Sequence, residues 1–148
     1  MMTHSTSFVI DTSVAIKWII DEEGSDDADL LRSADMAAPA LLRIEAGNVL
    51  RTITARQDVS ADDAIQLFVL LQTAPVAIVD ADEALELRAL ELALELQHPV
   101  YDCVYLALAE RMDRRLITAD RRFLRGLAGT AYSHLAIELA DIRAVLSS

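Results

Sequence analysis

Cysteine is almost missing from this chain: Cys103 stands alone among 148 residues, so no intrachain disulfide can form and the reducing cytoplasm is the expected compartment. Lysine is as scarce. Lys17 is the only one beside twelve arginines, and 24 acidic residues against 13 basic ones leave a net charge of −11, which denies the chain a broad electrostatic grip on nucleic acid. The four glycines, Gly24, Gly47, Gly126 and Gly129, are scattered, and neither G-x-x-x-x-G-K-[ST] nor G-x-G-x-x-G offers a phosphate cradle. Apolar runs such as residues 8–10 and 68–71 stop well short of the roughly 18 residues that span a bilayer. Residues 1–7 carry neither the basic region nor the apolar stretch of a secretory leader, so none is expected. With no repeat, low-complexity tract or Ser/Gly/Pro linker, and with 53% hydrophobic residues, residues 1–148 are expected to form one domain around one core.

The charge that is present lies unevenly. Arg111, Arg114, Arg115, Arg121, Arg122 and Arg125 meet only Asp113 and Asp120 within one fifteen-residue stretch, so the remainder is more acidic than the total suggests. The run reads either as a solvated helix face or as a rim that contacts phosphates.

Hydrophobic periodicity predicts an alternating α/β chain. Ser7-Phe8-Val9-Ile10 is a buried strand that turns at Asp11-Thr12-Ser13 into a helix over 14–21. Gly24-Ser25-Asp26-Asp27 opens a helix to residue 34, residues 36–39 suit a second strand, and a long helix covers 40–57. Ser60 with Asp63 three residues on caps a helix that reaches residue 73. Residues 76–79 form the third strand, 81–97 an acidic amphipathic helix stopped by His98-Pro99, 101–112 another helix and 115–118 a strand, with a short helix after Asp120. From Leu135 the tail fits an edge strand or a helix. The expected architecture is a central parallel sheet of four or five short strands with helices on both faces, whose ligand site lies beyond the carboxyl ends of the strands.

Most of the 24 acids fall on polar faces or in first turns of helices, but four do not. Asp11 and Asp120 each follow an apolar strand. Glu45 projects between Leu41 and Val49, inside the apolar arc of its helix, and Asp102 opens the apolar run Cys103-Val104-Tyr105-Leu106-Ala107-Leu108-Ala109. Each has a bland alternative: Asp102 and Asp120 as helix N-terminal acids, Asp11 as an Asx-turn, Glu45 as a side chain snorkelling to water. Together they pose a harder problem, because like charges gathered at one sheet edge repel and need a cation. Oxygen-only donors select magnesium or manganese over zinc or copper, and His4, His98 and His134 show no ligand spacing and read as surface or capping residues. Such a site suits phosphoryl chemistry, in which bound metal activates water and steadies the leaving oxygen. Ser13 lacks a G-x-S-x-G elbow, and Cys103 reads as an inert core thiol.

Four blocks in this order resemble the PIN domain family, and within it the VapC-like toxins of toxin–antitoxin modules. They are Val9-Ile10-Asp11-Thr12-Ser13-Val14 with Lys17-Trp18, the stretch from Pro39 to Arg51, Tyr101-Asp102-Cys103-Val104-Tyr105-Leu106-Ala107-Leu108-Ala109, and Leu116-Ile117-Thr118-Ala119-Asp120-Arg121-Arg122-Phe123. The resemblance covers nearly the whole chain. It implies a Mg²⁺-dependent (or Mn²⁺-dependent) endoribonuclease with Asp11, Glu45, Asp102 and Asp120 as its acidic quartet. Asp11 and Asp102 would be the direct metal ligands, with Glu45 and Asp120 holding water on the metal or a second ion. Thr12, Ser13, Asn48 and Thr118 would be hydrogen-bond partners of the ligands, and Arg121 and Arg122 candidate RNA contacts. Trp18 would belong to the core or a partner surface, with base stacking as the alternative. A homodimer and a cognate antitoxin whose tail masks the site are implied as well, and the net charge of −11 suits a basic partner.

Two other readings compete with a nuclease. One is a non-catalytic interaction module whose acidic pocket binds metal or a basic peptide. The other is a receiver domain or aspartyl-nucleophile phosphatase; it is disfavoured because Lys17 comes far too early for a receiver and Asp11-Thr12-Ser13 lacks the second aspartate of a D-x-D loop.

Overall fold

The computed structural model describes residues 6–147; the residues read above for a leader lie mostly outside them. Five short strands, β1 (Ser7–Ile10), β2 (Asp35–Pro39), β3 (Val76–Val79), β4 (Arg115–Thr118) and β5 (Ala136–Glu138), form one sheet in the order β3-β2-β1-β4-β5. Every pairing is parallel. Successive residues of a strand point to opposite faces, and Phe8, Val9 and Ile10 of β1 are all buried, as are Leu116 and Ile117 of β4. Both faces of the sheet are therefore covered, as a parallel sheet requires.

The covering helices are α1 (Thr12–Ala15), α2 (Ser25–Leu30), α3 (Leu41–Ala55), α4 (Ala61–Gln72), α5 (Glu83–Leu96), α6 (Val100–Met112), α7 (Arg121–Leu127) and α8 (Ile142–Leu146). Helix α6 packs on β1, β2 and β4, with α5 against it. Its residues Cys103 and Tyr105 to Ala109 are buried, and the Arg88 guanidinium of α5 grips Glu110 of α6 at 2.7 Å. The predicted cap holds, Ser60 accepting the Asp63 N–H; at the start of α5 Asp82 likewise accepts the Leu85 N–H, a cap the sequence had not suggested.

Two local expectations are corrected and one alternative is settled. The first helix does not reach residue 21; α1 tightens into a 3₁₀ turn over Ile16–Trp18 and ends there. Trp18 is then buried, its indole N–H donating to the Ala28 carbonyl at 2.8 Å, which assigns the ring to the core and removes it from base stacking. The second helix likewise stops at Leu30 and continues only as a 3₁₀ turn over Leu31–Ser33. The tail resolves into both alternatives, β5 beside β4 and then α8.

The strand order reverses at β1, which sits between β2 and β4. Ligands of open parallel sheets bind outside the carboxyl ends of the strands at such a reversal. No helix of the described residues is long and apolar enough to cross a membrane.

Because Trp18 is both packed and hydrogen-bonded, Trp18→Ala is expected to cost about 3–5 kcal/mol of stability. Urea unfolding followed by circular dichroism measures it; a loss below about 1 kcal/mol would return the ring to the surface.

Candidate active site

Each of the four acids arrives on a different segment. The chain leaves β1 at Ile10, and Asp11 sits in the turn with extended backbone while its carbonyl accepts the N–H groups of Val14 and Ala15, each at 3.2 Å. Its own N–H donates to the Ile117 carbonyl of β4 at 3.4 Å, so the first acid is fastened to the strand that leads to the fourth. The Asp11 carboxylate, 8% exposed, accepts the Ser13 hydroxyl at 2.5 Å and the Thr118 hydroxyl. Those hydroxyls accept in turn: Ser13 Oγ takes the Ala119 N–H at 2.8 Å, and Thr118 Oγ1 takes the Asp120 N–H at 3.0 Å.

Glu45 is half-buried on α3 and does not snorkel to water. Its Oε1 accepts the Tyr105 hydroxyl at 2.5 Å and the Thr12 hydroxyl at 3.0 Å. Asp102 lies in the first turn of α6, where His98 Nε2–H donates to Oδ2 at 2.6 Å. Asp120 is the N-cap of α7, and its Oδ1 accepts the Phe123 N–H at 3.1 Å. Its bland reading as a capping acid therefore holds alongside its place at the site. The Asx-turn that was the bland alternative for Asp11 does not appear, no side-chain capping bond being formed at the start of α1.

All four acids line one open cleft of about 530 Å³ together with Thr12, Ser13 and Asn48. Leu41, Ile44, Val49 and Tyr101 supply its apolar wall, and no lysine or arginine among the described residues lines it. Thr118 lies beneath, fully buried. The acids do not converge to ligand distance: among the described residues, no three His, Cys, Asp or Glu side chains are close enough to hold one ion. Each is turned onto its own donor instead. Arg121 and Arg122 are exposed at the start of α7, with Arg121 3.7 Å from Glu23 and 3.8 Å from Glu138. Elsewhere in the arginine run, Arg111 is paired with Asp82 and Arg114 with Asp35, so the basic rim is smaller than the sequence count implied.

Two residues at the site escaped the sequence reading. His98 is no surface residue: its side chain is 12% exposed and its ring lies against Phe123 at 4.8 Å. The spacing of four to Asp102 was its signal, masked by Pro99, which separates it from the helix that carries Asp102. Tyr105 stands three residues beyond Asp102 on α6, a spacing that puts both on one helical face; its apolar neighbours made it look like ordinary core.

Burial dominates the electrostatics. It pushes Asp11 up to about 6, against the lowering by Ser13 and Thr118, and the negative charge of Asp102 pushes the same way. Burial, then the bond to Glu45, drives the Tyr105 hydroxyl far above the usual phenol range. Burial, with a smaller contribution from Asp102, also raises the Cys103 thiol to about 11, so it stays protonated and inert as expected.

A carboxyl whose folded pKa is raised destabilises the fold when ionised. The Asp11 contribution is favourable below the ordinary carboxyl pKa and is lost as pH rises through about 6, at a cost of about 3 kcal/mol. Asp11→Asn is therefore expected to stabilise the chain by about 1–3 kcal/mol at pH 7.5 in the presence of chelator, and the gain should shrink at pH 4.5. Urea denaturation at the two pH values checks this. Equal stability of variant and parent at both would show that the carboxylate is not desolvated.

Comparison with known proteins follows the same lines. The PIN domain pattern matches residues 8–126, while no curated protein sequence matches the chain. Among solved structures, the Pyrobaculum aerophilum protein PAE2754 superposes with a TM-score of 0.68 at 20% identity, covering 96% of this chain and 90% of that one. A toxin–antitoxin complex from Klebsiella pneumoniae gives 0.64 at 16% identity, with 89% and 97% covered. VapC20 of Mycobacterium tuberculosis, described as a sarcin–ricin-loop-cleaving toxin, gives 0.62 at 15%, with 84% and 97% covered. At these identities the superpositions speak for the fold, and the pattern match spanning most of the chain decides the family: this protein belongs to the PIN domain family.

Proposed function

We propose that the chain is a metal-dependent endoribonuclease and the toxin of a toxin–antitoxin pair. The observation that carries the reading is the gathering of Asp11, Glu45, Asp102 and Asp120, from four separate segments, around one cleft at the carboxyl edge of the sheet with no basic side chain among them. The donor set fits Mg²⁺ or Mn²⁺ in kind, being all oxygen and strongly anionic. Asp11 and Asp102 would hold the ion directly, and Glu45 and Asp120 would hold water or a second ion beside it. When bound, the ion supplies the positive charge that activates water and stabilises the leaving oxygen of a phosphodiester.

The chain's own groups do the orienting. Ser13 and Thr118 fix the oxygens of Asp11, Tyr105 and Thr12 fix one oxygen of Glu45, and Asn48 brings an amide to the rim of the cleft. Arg121 and Arg122 stand exposed beside Asp120, where they would meet phosphates of the RNA; Arg121 would exchange Glu23 and Glu138 for them. The toxin assignment draws on the neighbours of like fold described as a toxin–antitoxin complex and as an RNA-loop-cleaving toxin. Ile44 and Tyr101, 71% and 60% exposed at the mouth of an acidic cleft, suit an antitoxin segment that pairs apolar residues with a basic one. A homodimer of cytoplasmic protein completes the proposal.

One observation favours the second reading, an acidic-pocket module that binds metal or a basic peptide without turnover: the four acids stand apart, each on its own donor. Incubation of purified, partner-free protein with total tRNA and rRNA separates the two. Discrete fragments that need Mg²⁺, vanish with chelator and fall about 10³-fold in rate in Asp102→Asn support the nuclease, that being the scale on which loss of one preorganised charge acts. Mn²⁺ binding without cleavage of any RNA would leave the module.

A further inference from the structure

We propose that His98 is a positioning residue that sets the placement of Asp102 relative to Asp120 and thereby tunes divalent-metal affinity; this rests on the metal-dependent reading above. Asp102 lies in the first turn of α6 and Asp120 caps α7, and the chain between them runs through the rest of α6 and all of β4. His98 bridges the gap directly. Its Nε2–H holds Asp102 Oδ2 at 2.6 Å, and the same ring packs against Phe123, 4.8 Å between centroids with the planes tilted by 41°. Phe123 is itself buried, and its backbone N–H is the donor that holds Asp120 Oδ1 at 3.1 Å. One imidazole thus touches one acid and the residue that holds another.

The imidazole can act as a spacer because its own backbone is fixed. Gln97 ends α5 in the left-handed conformation with φ of 53°, His98 N–H donates to the Ala93 carbonyl at 3.1 Å, and Pro99 restricts the next step. Helix α7 comes close on the far side: a Cβ at Gly126 would lie 3.8 Å from His98 Nδ1. With Oδ2 of Asp102 engaged by His98, Oδ1 is the oxygen left for a cation. A partner that orients a ligand in this way typically changes metal affinity 10- to 100-fold.

The test uses the full chain and Mn²⁺ alone as probe, read by isothermal titration and by the electron paramagnetic resonance signal of bound against free Mn²⁺. His98→Phe keeps a ring against Phe123 and removes the donor; His98→Gln keeps an amide donor and removes the ring. For His98→Phe, an unchanged circular dichroism spectrum with Mn²⁺ bound at least about tenfold more weakly supports the proposal, as does partial recovery of affinity in His98→Gln. Parent-like Mn²⁺ affinity in both folded variants would overturn it while leaving the metal-dependent reading intact. Failure of the parent chain to bind Mn²⁺ at all would overturn that reading and this proposal with it.

Discussion

The Asp11 carboxylate is held inside the protein by two hydroxyls from two different strand ends, Ser13 after β1 and Thr118 at the end of β4. Much of the architecture can be read outward from that contact. β1 and β4 are far apart in sequence, yet they must be neighbours with their carboxyl ends level for both hydroxyls to reach one carboxylate. The parallel register of Ile10 beside Ile117 provides this. The same two hydroxyls accept the N–H groups of Ala119 and Asp120, so the turn that presents the fourth acid is shaped by the groups that hold the first. A buried anion surrounded by saturated hydrogen bonds costs less than a bare one but still costs, which is why Asp11 remains raised to about 6. The fold carries that penalty on a continuous core running through β1, β4 and α6.

The strands were legible because burial on both faces forces uninterrupted apolar runs. β4 falls on the expected residues, and β1 ends where Asp11 breaks the run; β3 also falls where expected, its apolar run legible although it is a partly exposed edge strand. Helix ends were legible where a side chain caps them, as at Ser60. The segment between Trp18 and Ser33 was less so, since the 3₁₀ turns there follow from how Trp18 reaches Ala28 across the chain, and periodicity contains nothing of that contact. β5 is only three residues long and owes its existence to β4.

The four acids that line the cleft stood out in the sequence because they sit where acids are expensive, whereas Thr12, Ser13 and Thr118 entered as their partners only through the family resemblance. His98 and Tyr105 were passed over for opposite reasons. Tyr105 hides within a buried apolar helix face, where a phenol is unremarkable until its hydroxyl is seen to meet Glu45. His98 stands outside the helix of its partner, so its spacing of four to Asp102 did not read as one helical face. The arginine run erred in the other direction: a charge count cannot tell Arg111 and Arg114, engaged with Asp82 and Asp35, from Arg121 and Arg122 near the cleft.

The choice of partners for the acids is itself informative. Ser13 and Thr118 on Asp11, Thr12 and Tyr105 on Glu45, and the Phe123 amide on Asp120 are all neutral donors. A lysine or arginine in any of those places would orient the carboxylate equally well and would stabilise the fold more, since an opposite charge nearby favours the ionised acid. It would also cancel the local charge. Neutral donors fix geometry while leaving the negative potential of the cleft in place, and the one lysine of the chain has its Nζ bound to Glu22 at 2.7 Å. An arrangement that forgoes the more stabilising partner at three acids keeps the field that a divalent cation, or the basic side chain of a protein partner, would neutralise on arrival. On the proposed reading, the low lysine content and the acidic balance of the chain work with the cleft: the charge left uncompensated there would favour something positive from outside.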